Sequence, residues 1–301
     1  MKILYAIQGT GNGHLSRAME IAPHLVKRAE VDFLLSGKTA ELKFPYNFKF
    51  KYHGLFFFFG KRGGANYLKS FRHLKLWQLW KDIKSFPVKD YDAIVSDFEP
   101  ISAWAGRRNQ VKVIGLSHQA SFLSEECPRP AKRNYFFEVG MKKVIAPCDE
   151  YIGLHYKKYA DNIFLPIIRK ELLSLKVSEQ KHVLVYLPAF SDALLIQHFK
   201  KIKDWTWKIF SKKTNGFYRD ANVEVNPVHK EKYSLALASA GALLIGAGFQ
   251  ASSEGLYLRK KMMVIPMFDQ YEQQCNAAAL AEIGVKIVRK IDAGFSGHLQ
   301  D

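Results

Sequence analysis

The chain has 301 residues, 48% hydrophobic and 24% charged: a globular composition, with more length than one domain usually fills. Its formal net charge is +17, from 45 Lys and Arg against 28 Asp and Glu, and the excess sits mainly in the first half; such a field favours nucleic acid, anionic lipid headgroups or diphosphates. With no apolar run of 18 residues, no transmembrane helix is expected.

Cys127, Cys148 and Cys275 are scattered without CxxC or Cys/His spacing, which points to reduced cytoplasmic thiols and away from a disulfide framework or a zinc site. The opening "MKILYAIQGTG" is too short in apolar residues for a signal sequence and reads as a first strand. Further short apolar runs follow: "VDFLLS", "YDAIVSD", "VKVIGLS" and "EYIGLH", with helices at Ser16–Lys27 and Ile101–Asn109. After "FLPIIRKEL" the cycle restarts with "HVLVYLP", "WTWKIFS", "VEVNPV", "GALLIGA", "KMMVIPM" and "VKIVRK". Helices fit at Asp192–Ile202, Lys230–Ala238, Ser252–Leu258 and Gln270–Ile283. Alternating β and α at this spacing predicts two α/β domains, each a doubly wound parallel sheet, facing each other across a cleft.

The first strand runs into Gly9, Gly11, Asn12, Gly13 and His14, with a helix expected near Leu15. Glycines let a ligand approach the backbone, and the helix start offers N–H groups to an anion. No Lys-Ser/Thr follows to make a P-loop, and His14 stands where a dinucleotide fingerprint has its last glycine. A tight strand-to-helix turn would explain the glycines but not a histidine closing the loop.

Between Gly54 and Phe86 the chain combines Phe56–Phe59, Trp77 and Trp80 with Lys61, Arg62, Lys69, Arg72, Lys75 and Lys81. Its second half reads as a helix with Tyr67, Phe71, Leu74 and Trp77 on one side. That composition suits docking at an anionic membrane surface; a core-packed helix with a solvated basic face is the alternative. No nucleic-acid-binding motif accompanies the charge, so no nucleic acid partner is expected.

Asp97 ends the strand "AIVSD", where it could orient another side chain or cap the helix before Pro100. His118 in "GLSHQASF" also ends a strand and is a rival base. Later, Gly246-Ala247-Gly248-Phe249-Gln250-Ala251 matches GxGxxA after a strand, with Asp269 ending the next one, which supports a nicotinamide-dependent alternative. Against it, Ser252, Ser253 and Glu254 load the helix start with polar groups. Beyond Pro266, Glu272, Gln273 and Asn276 begin a helix, and such carboxylate and amide groups suit recognition of vicinal hydroxyls.

Together these stretches resemble the GT-B glycosyltransferases, near the peptidoglycan N-acetylglucosaminyltransferases and the UDP-glycosyltransferases. The resemblance covers nearly the whole chain and is most specific over Gly246–Val285. It implies that Glu254 holds the ribose of a UDP-type donor. It implies that Gly248, Phe249, Gln250 and Ser252 surround the diphosphate with N–H and hydroxyl donors, and that Glu272 and Gln273 read the transferred sugar. Gly246 departs from the family, where a basic or histidine residue begins the diphosphate motif. In the first half the resemblance makes His14 the base that deprotonates an acceptor hydroxyl and Asp97 its orienter, with Gly11, Asn12, Gly13 and His118 around the acceptor. Asp97-Phe98-Glu99 mimics the DxD motif of the other glycosyltransferase fold, which lacks two similar halves, so neither metal nor cofactor is expected.

The resulting expectation is an inverting enzyme with an acceptor domain at 1–166 and a donor domain at 167–301. It would move a sugar from a nucleotide-diphosphate donor to a hydroxyl acceptor, lipid-linked or glycan, in the cytoplasm or at the inner face of the cell membrane. A nucleotide-sugar 2-epimerase of the same fold, an NAD(P)-dependent oxidoreductase and a sugar-nucleotide-binding protein without turnover are the alternatives. Relatives usually carry a closing helix beyond the position of Lys290.

Overall fold

The computed structural model describes residues 1–10, 12–37, 42–54, 75–135, 138, 140, 145–291 and 295. The chain divides into two compact units, the first ending at Arg169 and the second built mainly from Lys170 onward.

In the first unit seven strands form one parallel sheet in the order β3-β2-β1-β4-β5-β6-β7: β1 (Lys2–Gln8), β2 (Glu30–Ser36), β3 (Phe48–Tyr52), β4 (Ala93–Asp97), β5 (Lys112–Ser117), β6 (Glu150–Leu154) and β7 (Ile163–Phe164). Side chains alternate across a strand, so β1 is buried on both faces. Ile3, Tyr5 and Ile7 pack with Leu15, Ala18 and Ala22 of helix α1 (Asn12–Leu25). Leu4 and Ala6 pack on the other side with Ile94, Ile101, Ala103 and Ala105. Among the described residues this unit also has helices α2 (Leu76–Ser85), α3 (Pro100–Asn109) and the short α4 (His118–Ser121), with a 3₁₀ turn at Val88–Asp90.

The second unit opens with α5 (Lys170–Leu173) and repeats the plan. Its sheet has the order β10-β11-β9-β8-β12-β13-β14: β8 (Gln180–Tyr186), β9 (Thr206–Ser211), β10 (Tyr218–Asp220), β11 (Val223–Pro227), β12 (Ala240–Ile245), β13 (Lys261–Val264) and β14 (Lys286–Ile287). All pairs are parallel except the edge strand β10. Helices α6 (Asp192–Phe199), α7 (Lys230–Ser239), α8 (Phe249–Tyr257) and α9 (Tyr271–Glu282) connect the strands. Its core holds Trp207, fully buried and stacked on Phe199 with ring centroids 4.2 Å apart.

Among the described residues, every strand and helix position expected from the sequence carries an element of that type, with shifted ends. Strands β3, β7 and β10 go beyond the expectation. The "FKFKY" of β3 alternates aromatic and lysine, the pattern of a half-exposed edge. "KMMVIPM" stops pairing at Val264 because Pro266 has no N–H to offer the ladder, so Asp269 sits in an exposed loop and not at a strand's end. The aromatic and basic residues expected at 56–72, and Leu74 of the expected helix with them, lie outside the described residues. Among the described residues no helix is long and apolar enough to cross a membrane.

Candidate active site

Both sheets reverse strand order beside a central strand, β1 with β4 in the first and β8 with β12 in the second. Such switch points are where doubly wound sheets bind ligands, at the carboxyl ends of the strands. Most of the residues singled out by the sequence lie near these two points.

At the first, helix α1 starts at Asn12, earlier than the expected Leu15. Gly13 is therefore its second residue and His14 lies in the first turn. A Cβ at Gly13 would meet no atom within 4 Å, so packing does not require this glycine; Gly11 lies outside the described residues. The early start has a consequence. His14 and Arg17 become i,i+3 neighbours on one helical face, and that face meets the end of β4. His14 Nδ1 stands 2.8 Å from Asp97 Oδ1 across 83 residues of sequence. Arg17 donates from Nε to Asp97 Oδ2 at 3.2 Å and from Nη2 to Oδ1 at 2.5 Å. Asp97 is 0% exposed, while His14 keeps 10% of its side chain open. Burial alone would raise the Asp97 carboxyl, but the charges and hydrogen bonds of Arg17 and His14 hold it below the ordinary value. An ionised carboxylate only accepts, so Nδ1 of His14 is the donor in this bond, and in the neutral imidazole the lone pair then falls on Nε2.

Asp97 does not cap the next helix. Glu99 does, its two carboxylate oxygens accepting from Ile101 N at 2.8 Å and Ser102 N at 2.7 Å. Phe98 between them has φ 59°, a left-handed conformation rare for a bulky residue, and this turn sends the two carboxylates to separate partners. The pair is therefore not a DxD-like clamp. Burial raises the Glu99 carboxyl, against the hydrogen bonds from Ser102, Ile101 and Ser36.

His118 departs from the expectation. It is 1% exposed, its Nδ1 donates to Leu154 O at 2.8 Å, and its ring packs edge-on against Phe122 and His155. A ring so enclosed is a core histidine and not a base for an acceptor hydroxyl.

At the second switch point, β12 leads through Gly246 and Ala247 to Gly248, the N-cap of α8, which has no side chain to cap it and around whose would-be Cβ there is open space. Phe249 opens the helix with its ring buried. Gln250 donates from Nε2 to Glu254 Oε1 at 2.8 Å, so the two side chains form one i,i+4 unit with Glu254 2% exposed. The hydroxyl expected from Ser252 is turned away. Its Oγ lies 2.9 Å from Gly248 O and 3.1 Å from Phe249 O, and its N–H bonds Gly248 O, the usual back-bonding of a serine inside a helix. Gly255 is the glycine that lets α8 approach the sheet, since a Cβ there would stand 2.4 Å from Met262 Sδ. In a dinucleotide fingerprint that task belongs to its third position, here Ala251.

Glu272 and Gln273 begin α9. Glu272 is half-buried; Gln273 is buried, and its Oε1 accepts from Met267 N at 3.0 Å. That oxygen also lies 3.6 Å from a Cβ built at Gly246, so the glutamine fills the space beside the position where the family's charge is missing. Asn276 is fully buried and donates to Ala247 O at 2.9 Å, which makes it a tie to the glycine loop and not a sugar contact.

Among the described residues no group of three His, Cys, Asp or Glu side chains could hold a metal ion. The profile of glycosyl transferase family 1 matches residues 1–294. The chain belongs to that family.

This glycosyltransferase also shares the GT-B fold of two Rossmann-like domains with solved structures of low sequence identity. The glycosyltransferase of kitacinnamycin superposes with a TM-score of 0.66 at 13% identity, over 99% of this chain and 88% of that one. MurG of Acinetobacter baumannii gives 0.55 at 15%, over 100% and 90%. UGT2 of Phytolacca americana, complexed with UDP-2fluoro-glucose and pterostilbene, gives 0.61 at 14%, over 97% and 86%. No curated protein sequence matches the chain. The residue that sequence reasoning missed in this glycosyltransferase is Arg17. Its signal was present, three residues after His14, but only with a helix already begun at Asn12 do the two share a face.

Proposed function

We propose that this glycosyltransferase moves a sugar with inversion from a UDP-type donor to a hydroxyl acceptor. The observation that carries the reading is the buried hydrogen bond from His14 Nδ1 to Asp97, which leaves the lone pair on Nε2. In the transfer, the acceptor oxygen forms a bond to the anomeric carbon while the bond from that carbon to the β-phosphate oxygen breaks. The acceptor proton goes to His14 Nε2, and Asp97 stabilises the imidazolium that results. The N-terminus of α8 with uncrowded Gly248 would receive the diphosphate by its backbone N–H groups. Glu254, held by Gln250, would accept from the ribose hydroxyls, and Glu272 with Gln273 would read the sugar. The solved UDP complexes of UGT2 and of Arabidopsis thaliana UGT89C1 support a UDP donor.

The outer face of α2 supports an acceptor presented at a membrane, with the protein cytoplasmic and peripheral. Leu79 and Ile83 pack inward, while Trp77 and Trp80 are 76% and 44% exposed, stacked at 5.1 Å, with Lys84 Nζ 3.4 Å from the Trp80 ring centroid. Aromatic rings beside lysines fit the headgroup layer of an anionic bilayer. Vesicles containing about a third anionic lipid should sediment the protein, and Trp77→Ser with Trp80→Ser should abolish this; undiminished binding by the double variant removes the membrane role from this face.

The decisive experiment is a thermal-shift screen of nucleoside diphosphates and NAD, followed by product analysis with the nucleotide sugar that binds. A ligand at about 100 times its Kd adds about 2.7 kcal/mol to folding stability, a readily measured shift. UDP should stabilise and NAD should not, and a glycoside should form only when acceptor is present. Stabilisation by NAD alone, or a 2-epimer formed without acceptor, overturns the reading.

A further inference from the structure

Arg17 is 4% exposed and spends its guanidinium on a carboxylate that water does not reach. Two donors converge on Asp97 Oδ1, Arg17 Nη2 and His14 Nδ1, and they stand 3.0 Å apart. The second oxygen, Oδ2, is gripped by Arg17 Nε. A carboxylate held at both oxygens cannot turn about its last torsion, so the direction in which it accepts from the imidazole is fixed. A lone buried Asp–His pair has no such restraint, and its charge is uncompensated.

We propose that Arg17 is a positioning residue for the reaction, which orients Asp97 and through it fixes the Nδ1–H tautomer of His14. The inference rests on the reading of His14 as the base. Its chemistry is a matter of one proton. With Arg17 present, the buried carboxylate is matched by a permanent cation and needs no second positive charge beside it. Without Arg17, the buried carboxylate gains by any extra positive charge, and the pair takes up a proton at higher pH, on Asp97 or on His14. Either event removes the working base, so both move activity the same way. Among the described residues, the groups facing Asp97 are His14 and Arg17 from α1 and Tyr5 from β1. Burial, then the Asp97 charge, raises the Tyr5 phenol well above its ordinary value, so it stays neutral and does not replace the cation.

The test uses Arg17→Met and Arg17→Lys in the full chain, with three readouts. For Arg17→Met, kcat should fall about 10–100-fold with donor KM within about twofold. The acid limb of its kcat–pH profile should move up by about one unit or more. In ¹⁵N-histidine NMR, the His14 resonance, assigned by its loss in His14→Gln, should leave the Nδ1–H pattern. Arg17→Lys restores the charge but not the two-point grip, so the acid limb should return while kcat recovers only in part. Wild-type kcat, acid limb and tautomer in Arg17→Met overturn the proposal, as does a wild-type kcat in Arg17→Lys should the methionine variant not fold. The NMR readout needs no substrate, so it judges Arg17 even where the proposed transfer itself fails.

Discussion

The two units use one topology for opposite electrostatics. At the switch point beside β1 the first unit places full charges, Asp97 and Arg17, sealed from water and paired. At the matching point after β12 the second unit places a helix start with no side-chain cap, flanked by a glycine, side-chain amides and a single buried carboxylate, Glu254. The difference follows from what each arrangement costs. A buried full charge is tolerated only with a fixed partner, so the first site is prebuilt and rigid. A helix terminus carries about half a charge through peptide dipoles and can await an anion with no counter-charge in place. On the proposed reading, one unit would move a proton and the other would receive a diphosphate.

The comparison breaks first at His14. His14→Ala should lower turnover by roughly 10²–10⁴-fold with UDP affinity nearly unchanged, and Asp97→Asn should reproduce part of that loss. A His14→Ala protein that loses UDP binding instead makes the first unit a nucleotide site. Glu254→Ala should give the reverse pattern. UDP affinity measured by calorimetry should drop about 10–100-fold, the scale of one lost charge-assisted hydrogen bond, with little change in kcat at saturation. Gly248→Ala is a finer probe of the helix start. Its backbone and surroundings accept a methyl group, so stability should change by less than about 1 kcal/mol, yet UDP affinity should fall by about tenfold. Unchanged affinity moves the diphosphate elsewhere.

The smallest effect sharpens the contrast inside the first unit, between Asp97 and Glu99. Asp97 is held below its ordinary value, so its contribution to stability is present above the unfolded carboxylate value and is lost as pH falls through the folded one. Glu99 is raised, so its contribution is full below the unfolded value and is lost as pH rises through the folded one. Melting curves from pH about 3 to about 7 should therefore show wild type losing its advantage over Asp97→Asn toward acid, and over Glu99→Gln toward neutrality. Parallel curves for the two variants contradict these opposed environments.

Periodicity and punctuation made the two-sheet plan legible, because a strand buried on both faces must be apolar throughout and a helix between strands must show an apolar stripe. "KILYAI" and "GALLIGA" carry that information locally, whereas β3, half-exposed and alternating lysine with aromatic rings, is defined mainly by the neighbour it pairs with. Candidate residues at strand ends were legible for a related reason: a polar side chain that breaks an apolar run, such as His14 or Asp97, must find a polar partner, although His118 gives the same signal from within the core. Residue type and position by themselves thus determined the two-unit α/β architecture and the neighbourhoods of the chemistry. Long-range partnership was decided only by the tertiary structure. The Glu99 cap and the turned Ser252 hydroxyl are local bonds within four residues, but whether His118 faces solvent or Leu154, and that Arg17 joins His14 on Asp97, depend on groups up to 83 positions away. A hydrogen bond is set by direction over about 3 Å, and that geometry exists only once distant strands lie side by side.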